Sequence, residues 1–360
     1  MRTPYCVIMA GGIGSRFWPM STEESPKQFL DFLGTGESLI QQTYRRVRKI
    51  FEPEHIFVVT HANYADLTST HLPKLPLKNI ILEPLRRNTA PCIAYAAMKI
   101  KKRDPKANIF ITPADHLIID EDAFERQIRK GLEQTDSSDC FVTIGIKANK
   151  PETGYGYIQF DETKKEGDSY MVKAFTEKPD IEHAQKFIDS GDFLWNAGMF
   201  IWNIEALSAG LDQHLPELMN TLGRAWKDLD TKYEADSIAK VYAQCDNISI
   251  DYGLMERSEN VRVLPTVMGW SDVGNWGAIY DLSAKDAKGN ALIGDSILAE
   301  DCEGCLIVNS APGRALVLND LKDKIVVQTD KTTLTFPMGN DQAIKQIVRA
   351  VKIQLGEKFV

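Results

Sequence analysis

Hydrophobic and polar positions change period repeatedly along the chain, and the changes mark its elements. Short apolar runs over 6–10, 55–60, 79–84, 108–112 and 139–145 are rich in Val, Ile and Phe and predict strands. Between them apolar residues recur at helical spacing. Leu39, Ile40, Tyr44, Val47 and Ile50 predict a helix over 38–51. Ala94, Ala97, Met98 and Ile100 predict another, with Thr89 near its N-cap and Pro91 in its first turn. A third covers 123–134. This alternation to about residue 147 predicts an α/β fold with a mostly parallel sheet and helices on both faces. Ligands in such sheets bind beyond the carboxyl ends of the strands, where the loop after residue 10, Asn88 and Asp115 all fall.

The middle of the chain breaks the rhythm. Strands are predicted over 153–158, 171–179 and 194–202, helices over 181–190 and through much of 204–243, and a further strand over 261–267. Composition shifts near 284–290. Beyond it come brief β-rich pieces over 291–298, 305–310, 315–319, 324–329 and 332–336, then an amphipathic helix carrying Ile344, Ile347, Val348, Val351 and Leu355. The pattern predicts a large domain over 1–284 and a small β-rich domain with a terminal helix over 285–360.

Charge and composition narrow the function classes. A net charge of -8 argues against a nucleic-acid surface, which would carry a basic stripe. No apolar run reaches the roughly 18 residues that a membrane span needs, and no signal-peptide core precedes the first strand. A cytoplasmic protein without membrane or nucleic-acid partners is expected. Of the six cysteines only Cys302 and Cys305 have metal or redox spacing; with no second pair nearby, they read as free thiols.

The candidate chemistry begins where the first strand opens into Gly11-Gly12-Ile-Gly14-Ser15-Arg16, with Pro26-Lys27-Gln28 downstream. Glycines bring backbone N–H groups close to phosphate oxygens, and Arg16 and Lys27 add full charges. The loop is not a P-loop, which needs Gly-Lys-Ser/Thr, nor a dinucleotide fingerprint, because Phe17 stands where a third Gly or Ala is needed.

The Gly-Gly-x-Gly-x-Arg and Pro-Lys-Gln pattern resembles the signature loop of the sugar-nucleotide pyrophosphorylases, or sugar-1-phosphate nucleotidylyltransferases. Further blocks follow in that family's order: Glu83-Pro84, Arg87-Asn88-Thr89-Ala90-Pro91, Pro113-Ala-Asp115-His116, Gly154-Tyr155-Gly156-Tyr157, Glu177-Lys178-Pro179, Trp195-Asn196-Ala-Gly198 and Trp270-Ser-Asp272-Val-Gly274. Two of them, Arg-Asn-Thr-Ala-Pro and Ser-Asp-Val-Gly-x-Trp, are similar to the family's mannose-1-phosphate guanylyltransferases. The resemblance implies a Rossmann-like nucleotide-diphospho-sugar transferase fold with a short β-helix-like C-terminal domain, used for homodimerisation. It implies that GTP and mannose 1-phosphate give GDP-mannose and pyrophosphate with Mg²⁺.

Roles follow residue by residue from the same resemblance. Gly11, Gly12, Gly14 and Ser15 would cradle the nucleotide phosphates, with Arg16 and Lys27 neutralising the departing pyrophosphate. Glu83, Pro84, Asn88 and Thr89 would hold the nucleoside, beside a helix N-terminus that suits anions. Asp115 and Asp272 would hold Mg²⁺, which favours one or two carboxylates plus phosphate oxygens and water. Tyr155, Gly156, Glu177, Asn196 and Asp251 would hold the sugar, and Lys178 its phosphate; Arg86 reads as a solvated neighbour. A UTP- or dTTP-dependent relative acting on glucose 1-phosphate, or a non-catalytic sugar-nucleotide-binding subunit, is the alternative. On a length of 360 residues, the isomerase domain that some relatives carry behind the transferase is not expected.

Overall fold

The structure is a computed structural model that describes residues 1–340 and 343–360, and in it the chain forms two compact units. The first gathers Met1–Gly11, Thr43–Ala114 and Ile118–Trp270; the second gathers Gly12–Gln42, Asp115–Leu117 and Ser271–Val360. The composition shift near 284 therefore lies inside the second unit. Residues 12–42 and 115–117 cluster with the C-terminal β segments rather than with the strands that flank them in sequence.

The first unit is built on β1 (Pro4–Ala10), β2 (Ile56–His61), β3 (Ile80–Glu83) and β4 (Asn108–Pro113), all parallel in the order β3-β2-β1-β4. Helices α2 (Ala65–His71), α3 (Thr89–Arg103) and α4 (Glu121–Ser137) alternate with these strands and with β6 (Phe141–Lys147). Helix α1 (Leu39–Val47) and the two-residue strands β5 (Leu117–Ile118) and β11 (Trp270–Ser271) lie where the chain passes from one unit to the other. Cys6, Val7 and Ile8 of β1 are fully buried, as befits a central parallel strand covered on both faces.

The sheet continues through β9 (Phe193–Asn203), β10 (Val261–Thr266), β8 (Ser169–Glu177) and β7 (Gly156–Glu166), giving nine strands in the order β3-β2-β1-β4-β9-β6-β10-β8-β7. β9 enters between β4 and β6 antiparallel to both, while β10 restores the parallel direction against β6. The fold is thus mixed α/β with a mostly parallel sheet. Helices α5 (Ile181–Ser190), α6 (Ile204–His214), α7 (Pro216–Gly223), α8 (Glu234–Tyr242) and α9 (Ile250–Gly253) fill the insertions. Because β1, β3 and β4 are parallel, Ala10, Glu83 and Pro113 end on one edge of the sheet.

The second unit contains α10 (Trp276–Leu282) and the strands β12 (Ala291–Ile293), β13 (Ile297–Glu300), β14 (Leu306–Asn309), β15 (Leu316–Asn319), β16 (Lys324–Gln328) and β17 (Thr333–Pro337). β12, β14 and β16 pair in parallel, as do β13 and β15, with no helix between them; this is the short β-helical winding expected here. β17 closes the stack antiparallel to β16. The single piece expected over 291–298 is two strands on different sheets. Gly294 divides them at φ +100°, where an added Cβ would stand 2.1 Å from the Asn309 carbonyl oxygen. The core joins Phe17, Phe32 and Trp276, with ring centroids 4.5–5.8 Å apart, to apolar residues of the strands and of α11 (Ile344–Gln354). All six cysteines are free and buried. Among the described residues no helix is long and apolar enough to cross a membrane.

Candidate active site

In the second unit the glycine loop is shaped by its own downstream lysine. Gly14 adopts φ 79° and caps the short turn Ser15–Phe17; a Cβ there would lie 2.4 Å from the Lys27 Cβ. The Lys27 N–H donates to the Ile13 carbonyl at 2.9 Å, which closes the loop. Gly12 differs, since nothing lies within 4 Å of where its Cβ would be. The protein's own packing does not require glycine there, whereas close approach of a ligand would.

Lys27 is 5% exposed, and its ammonium donates to Asp115 Oδ2 at 2.8 Å and to the Asp272 carbonyl at 2.7 Å. The structure therefore brings Lys27, Asp115 and the Asp272 backbone together. Burial pushes the Asp115 carboxyl up, but Lys27 and His116 outweigh it and hold the group below its ordinary value. Asp272 begins a strained turn. Val273, β-branched and buried, sits at φ 47°, and its N–H donates to Ser271 Oγ at 3.1 Å. At Gly274 a Cβ would meet Asp272 Oδ2 at 2.6 Å, so the carboxylate lies over bare backbone. No cluster of three metal-ligating side chains occurs among the described residues. Asp115 Oδ2 and the Asp272 carbonyl, both bonded to the Lys27 ammonium, and the two carboxylates themselves are hard oxygen donors of the kind Mg²⁺ takes.

In the first unit, Glu83 ends β3 with its side chain buried. Tyr242 on α8 donates its hydroxyl to Glu83 Oε1 at 2.8 Å, and a Cβ on Gly11 would lie 3.4 Å from Oε2. Burial raises the Glu83 carboxyl to about 7, against the opposing pull of Tyr242 and Arg86. Arg86 is no bystander. Its guanidinium donates to the Gly11 carbonyl at 3.3 Å and to the Tyr64 hydroxyl at 2.7 Å, which ties the start of the glycine loop to the segment after β3.

The helix that follows offers anions less than expected. Asn88 Oδ1 caps the Thr89 N–H at 2.9 Å, the Ala90 N–H donates to the Ile248 carbonyl at 3.1 Å, and Pro91 has none. Thr89 Oγ1 in turn accepts from the Ile250 N–H at 2.8 Å. Thr89 and Ala90 thus fix α3 against the segment that opens α9, and the N–H groups of Thr89 and Ala90 are both taken.

The expected sugar residues do converge, all within the first unit. Gly156 leaves room for the Glu177 carboxylate, whose Oε2 would stand 2.4 Å from an added Cβ. Asn196 Nδ2 donates to Asp251 Oδ1 at 2.7 Å, while Asn196 Oδ1 accepts from the Gly198 N–H at 3.0 Å. Tyr155 meets Trp195 and Trp270 edge-on at 5.1 and 5.2 Å. Lys178, at φ 51°, donates its N–H to the Tyr155 carbonyl at 3.2 Å and pairs its ammonium with Glu177 Oε1. Burial, then the Glu177 charge, raises the Asp251 carboxyl to about 6. Glu256 joins this group unannounced: burial, Asp251 and Glu177 all raise its carboxyl. Its place after α9, with no motif around it, left no signal in the sequence.

Comparisons with known proteins show what the chain as a whole is similar to. The sequence pattern of the family described as nucleotidyl transferase matches residues 5–289. Alginate biosynthesis protein AlgA of Pseudomonas syringae pv. tomato is 36% identical over 358 residues, covering 97% of this chain and 72% of its own. Mannose-1-phosphate guanylyltransferase of Escherichia coli strain K12 is 34% identical over 356 residues, covering 97% and 73%. A crystal structure from Thermus thermophilus, described as "mannose-1-phosphate geranyltransferase", superposes with a TM-score of 0.86 at 29% identity, covering 97% of this chain and 99% of that one.

Proposed function

This chain belongs to the nucleotidyl transferase family and is a nucleotidyltransferase; from that premise we propose that it transfers GMP from GTP to mannose 1-phosphate. A phosphate oxygen of the sugar attacks the α-phosphorus of GTP, the bond from that phosphorus to the β-bridging oxygen breaks, and pyrophosphate departs. A sugar phosphate, with a second pKa of about 6, is largely dianionic at neutral pH, so no general base is needed. Positioning and charge neutralisation supply the catalysis.

The observation that carries this reading is the gathering of Gly156, Glu177, Lys178, Asn196 and Asp251. Fixed carboxylates and an amide suit a hydroxyl-rich sugar, and Lys178 suits its phosphate. Guanine presents N1–H and N2–H donors side by side, which a buried acceptor such as the Glu83 carboxylate can receive together. Arg16 takes the β- and γ-phosphates, backed by the backbone of Gly11, Gly12, Gly14 and Ser15, while Pro84, Asn88 and Thr89 shape the nucleoside side. Asp115 and Asp272 would hold Mg²⁺, whose chemistry is to neutralise phosphate oxygens as the bond breaks. The name of the Escherichia coli relative supports the choice of substrates.

The test is pyrophosphate release by purified protein across GTP, UTP, dTTP and ATP with mannose 1-phosphate and glucose 1-phosphate. GTP with mannose 1-phosphate is expected to be fastest. Preference for UTP or dTTP overturns the base assignment, and no release with any pair overturns catalysis.

A further inference from the structure

The terminal helix α11 lies beyond the residues that the family pattern matches, yet it is seated on the glycine loop. Its apolar stripe explains the seat. Ile344 is fully buried in one core with Phe17 and Trp18, and Val348 and Val351 pack against the same cluster. The Trp18 indole N–H adds a 2.7 Å bond to the Phe359 carbonyl just past the helix. Phe17 closes the turn Ser15–Phe17 that carries Arg16, so the packing that fixes α11 also sets it beside that arginine.

On the polar side of α11, Lys345 and Arg349 bring two cations toward the turn that carries Arg16, while Lys352 further along pairs with Glu357. Lys345 and Arg349 stand one helical turn apart on α11, and both side chains are exposed. The Arg16 guanidinium lowers the Lys345 ammonium below its ordinary value, followed by burial and then Arg349. Lys345 also occupies the first turn of α11, where the helix dipole disfavours a cation and where the described residues include no acidic one. Two unfavourable terms at a glycine-rich turn are both offset by an anion placed among these cations.

We propose that Lys345 and Arg349 join Arg16 in binding the pyrophosphate portion of the nucleotide, so that the C-terminal helix completes the phosphate clamp. The ligand class is a di- or triphosphate chain, and the product retained there is inorganic pyrophosphate. This rests on reading the glycine loop as the phosphate site. GDP-mannose lacks the departing phosphates, so its binding depends little on α11.

Inorganic pyrophosphate in the presence of Mg²⁺ is the probe, titrated by calorimetry into the full chain at fixed salt. Lys345→Met with Arg349→Met keeps the apolar stems and removes the charges. Pyrophosphate affinity is expected to fall about 10- to 100-fold, as for loss of charge-assisted bonds to phosphate. GDP-mannose affinity and the unfolding temperature should stay unchanged, and Lys345→Arg, which keeps the charge, should retain the parent's pyrophosphate affinity. Unchanged pyrophosphate affinity in the double variant overturns the proposal. Arg16→Ala separates the two layers: if it alone weakens pyrophosphate, only the role of α11 falls, and if it too has no effect, the loop reading falls with it.

Discussion

Lys27 and Asp115 form an ion pair at 2.8 Å in which the lysine side chain is 7% exposed and the aspartate 31%. The same ammonium holds the carbonyl of Asp272, so one cation ties three separate segments of the second unit. Removing it leaves a partly buried carboxylate without its partner. Lys27→Met is expected to cost about 2 kcal/mol, below the range for fully buried pairs because Asp115 still reaches water. Added Mg²⁺ should then stabilise the variant more than the parent, since the metal no longer competes with an ammonium at Asp115. Denaturant unfolding with and without Mg²⁺ reads both; an identical Mg²⁺ effect in the two proteins would remove Lys27 from this role.

The Glu83 carboxyl titrates near 7 in the fold against 4.5 ordinarily, so the folded protein binds the proton more tightly than the unfolded chain. Stability from this group is intact below about pH 4.5, falls as pH rises, and reaches its full cost of about 3 kcal/mol above pH 7. Glu83→Gln keeps an acceptor for Tyr242 and removes the charge. The variant should therefore match the parent near pH 4.5 and exceed its stability at pH 8. If Glu83 receives guanine as proposed, its ionised form is the one that binds, so GTP affinity of the parent should rise as pH passes through about 7, and the variant should lose that rise. A flat difference in stability between pH 5 and pH 8 would show that Glu83 is not the group titrating.

Much of this was legible because it is local. The strand into Gly11–Arg16, the block after β3 and the Glu-Lys-Pro after β8 each place their residues through a few neighbouring bonds. Long-range pairings left no such trace. β9 is written as an ordinary apolar run, and nothing in it announces insertion between β4 and β6. The hold of Lys27 on Asp272 spans 245 positions, and the apolar stripe of α11 does not name Phe17 and Trp18 as its cover. Arg86 is exposed, as a solvated neighbour would be, but its partners Gly11 and Tyr64 come from other parts of the chain and left no local trace.

Asp251 offers a test confined to the sugar. Its carboxyl accepts from Asn196 Nδ2 and is raised to about 6 by burial and then by Glu177. Asp251→Asn removes the charge with little change of shape. KM for mannose 1-phosphate should rise about 10- to 100-fold, the cost of losing a bond to a charged group, while KM for GTP stays constant. Folding should be unharmed, because a neutral amide is cheaper to bury than a carboxylate. Equal effects on both substrates would place Asp251 outside the sugar pocket.

Two glycines of one loop should respond in opposite ways to the same methyl group. At Gly14, φ 79° and the approach of Lys27 Cβ to 2.4 Å forbid a side chain, so Gly14→Ala must push Lys27 away and strain the turn. A loss of about 2 kcal/mol or more in stability is expected from the left-handed backbone and the clash together. At Gly12 the backbone angle is ordinary and no atom lies within 4 Å of the new methyl, so Gly12→Ala should leave the unfolding temperature alone. If phosphates pass over that backbone, the methyl meets them instead, and KM for GTP should rise at least about 10-fold through displaced contacts. Thermal unfolding and initial rates on both variants decide it. A Gly12→Ala protein with normal stability and normal KM would mean that no ligand approaches this part of the loop.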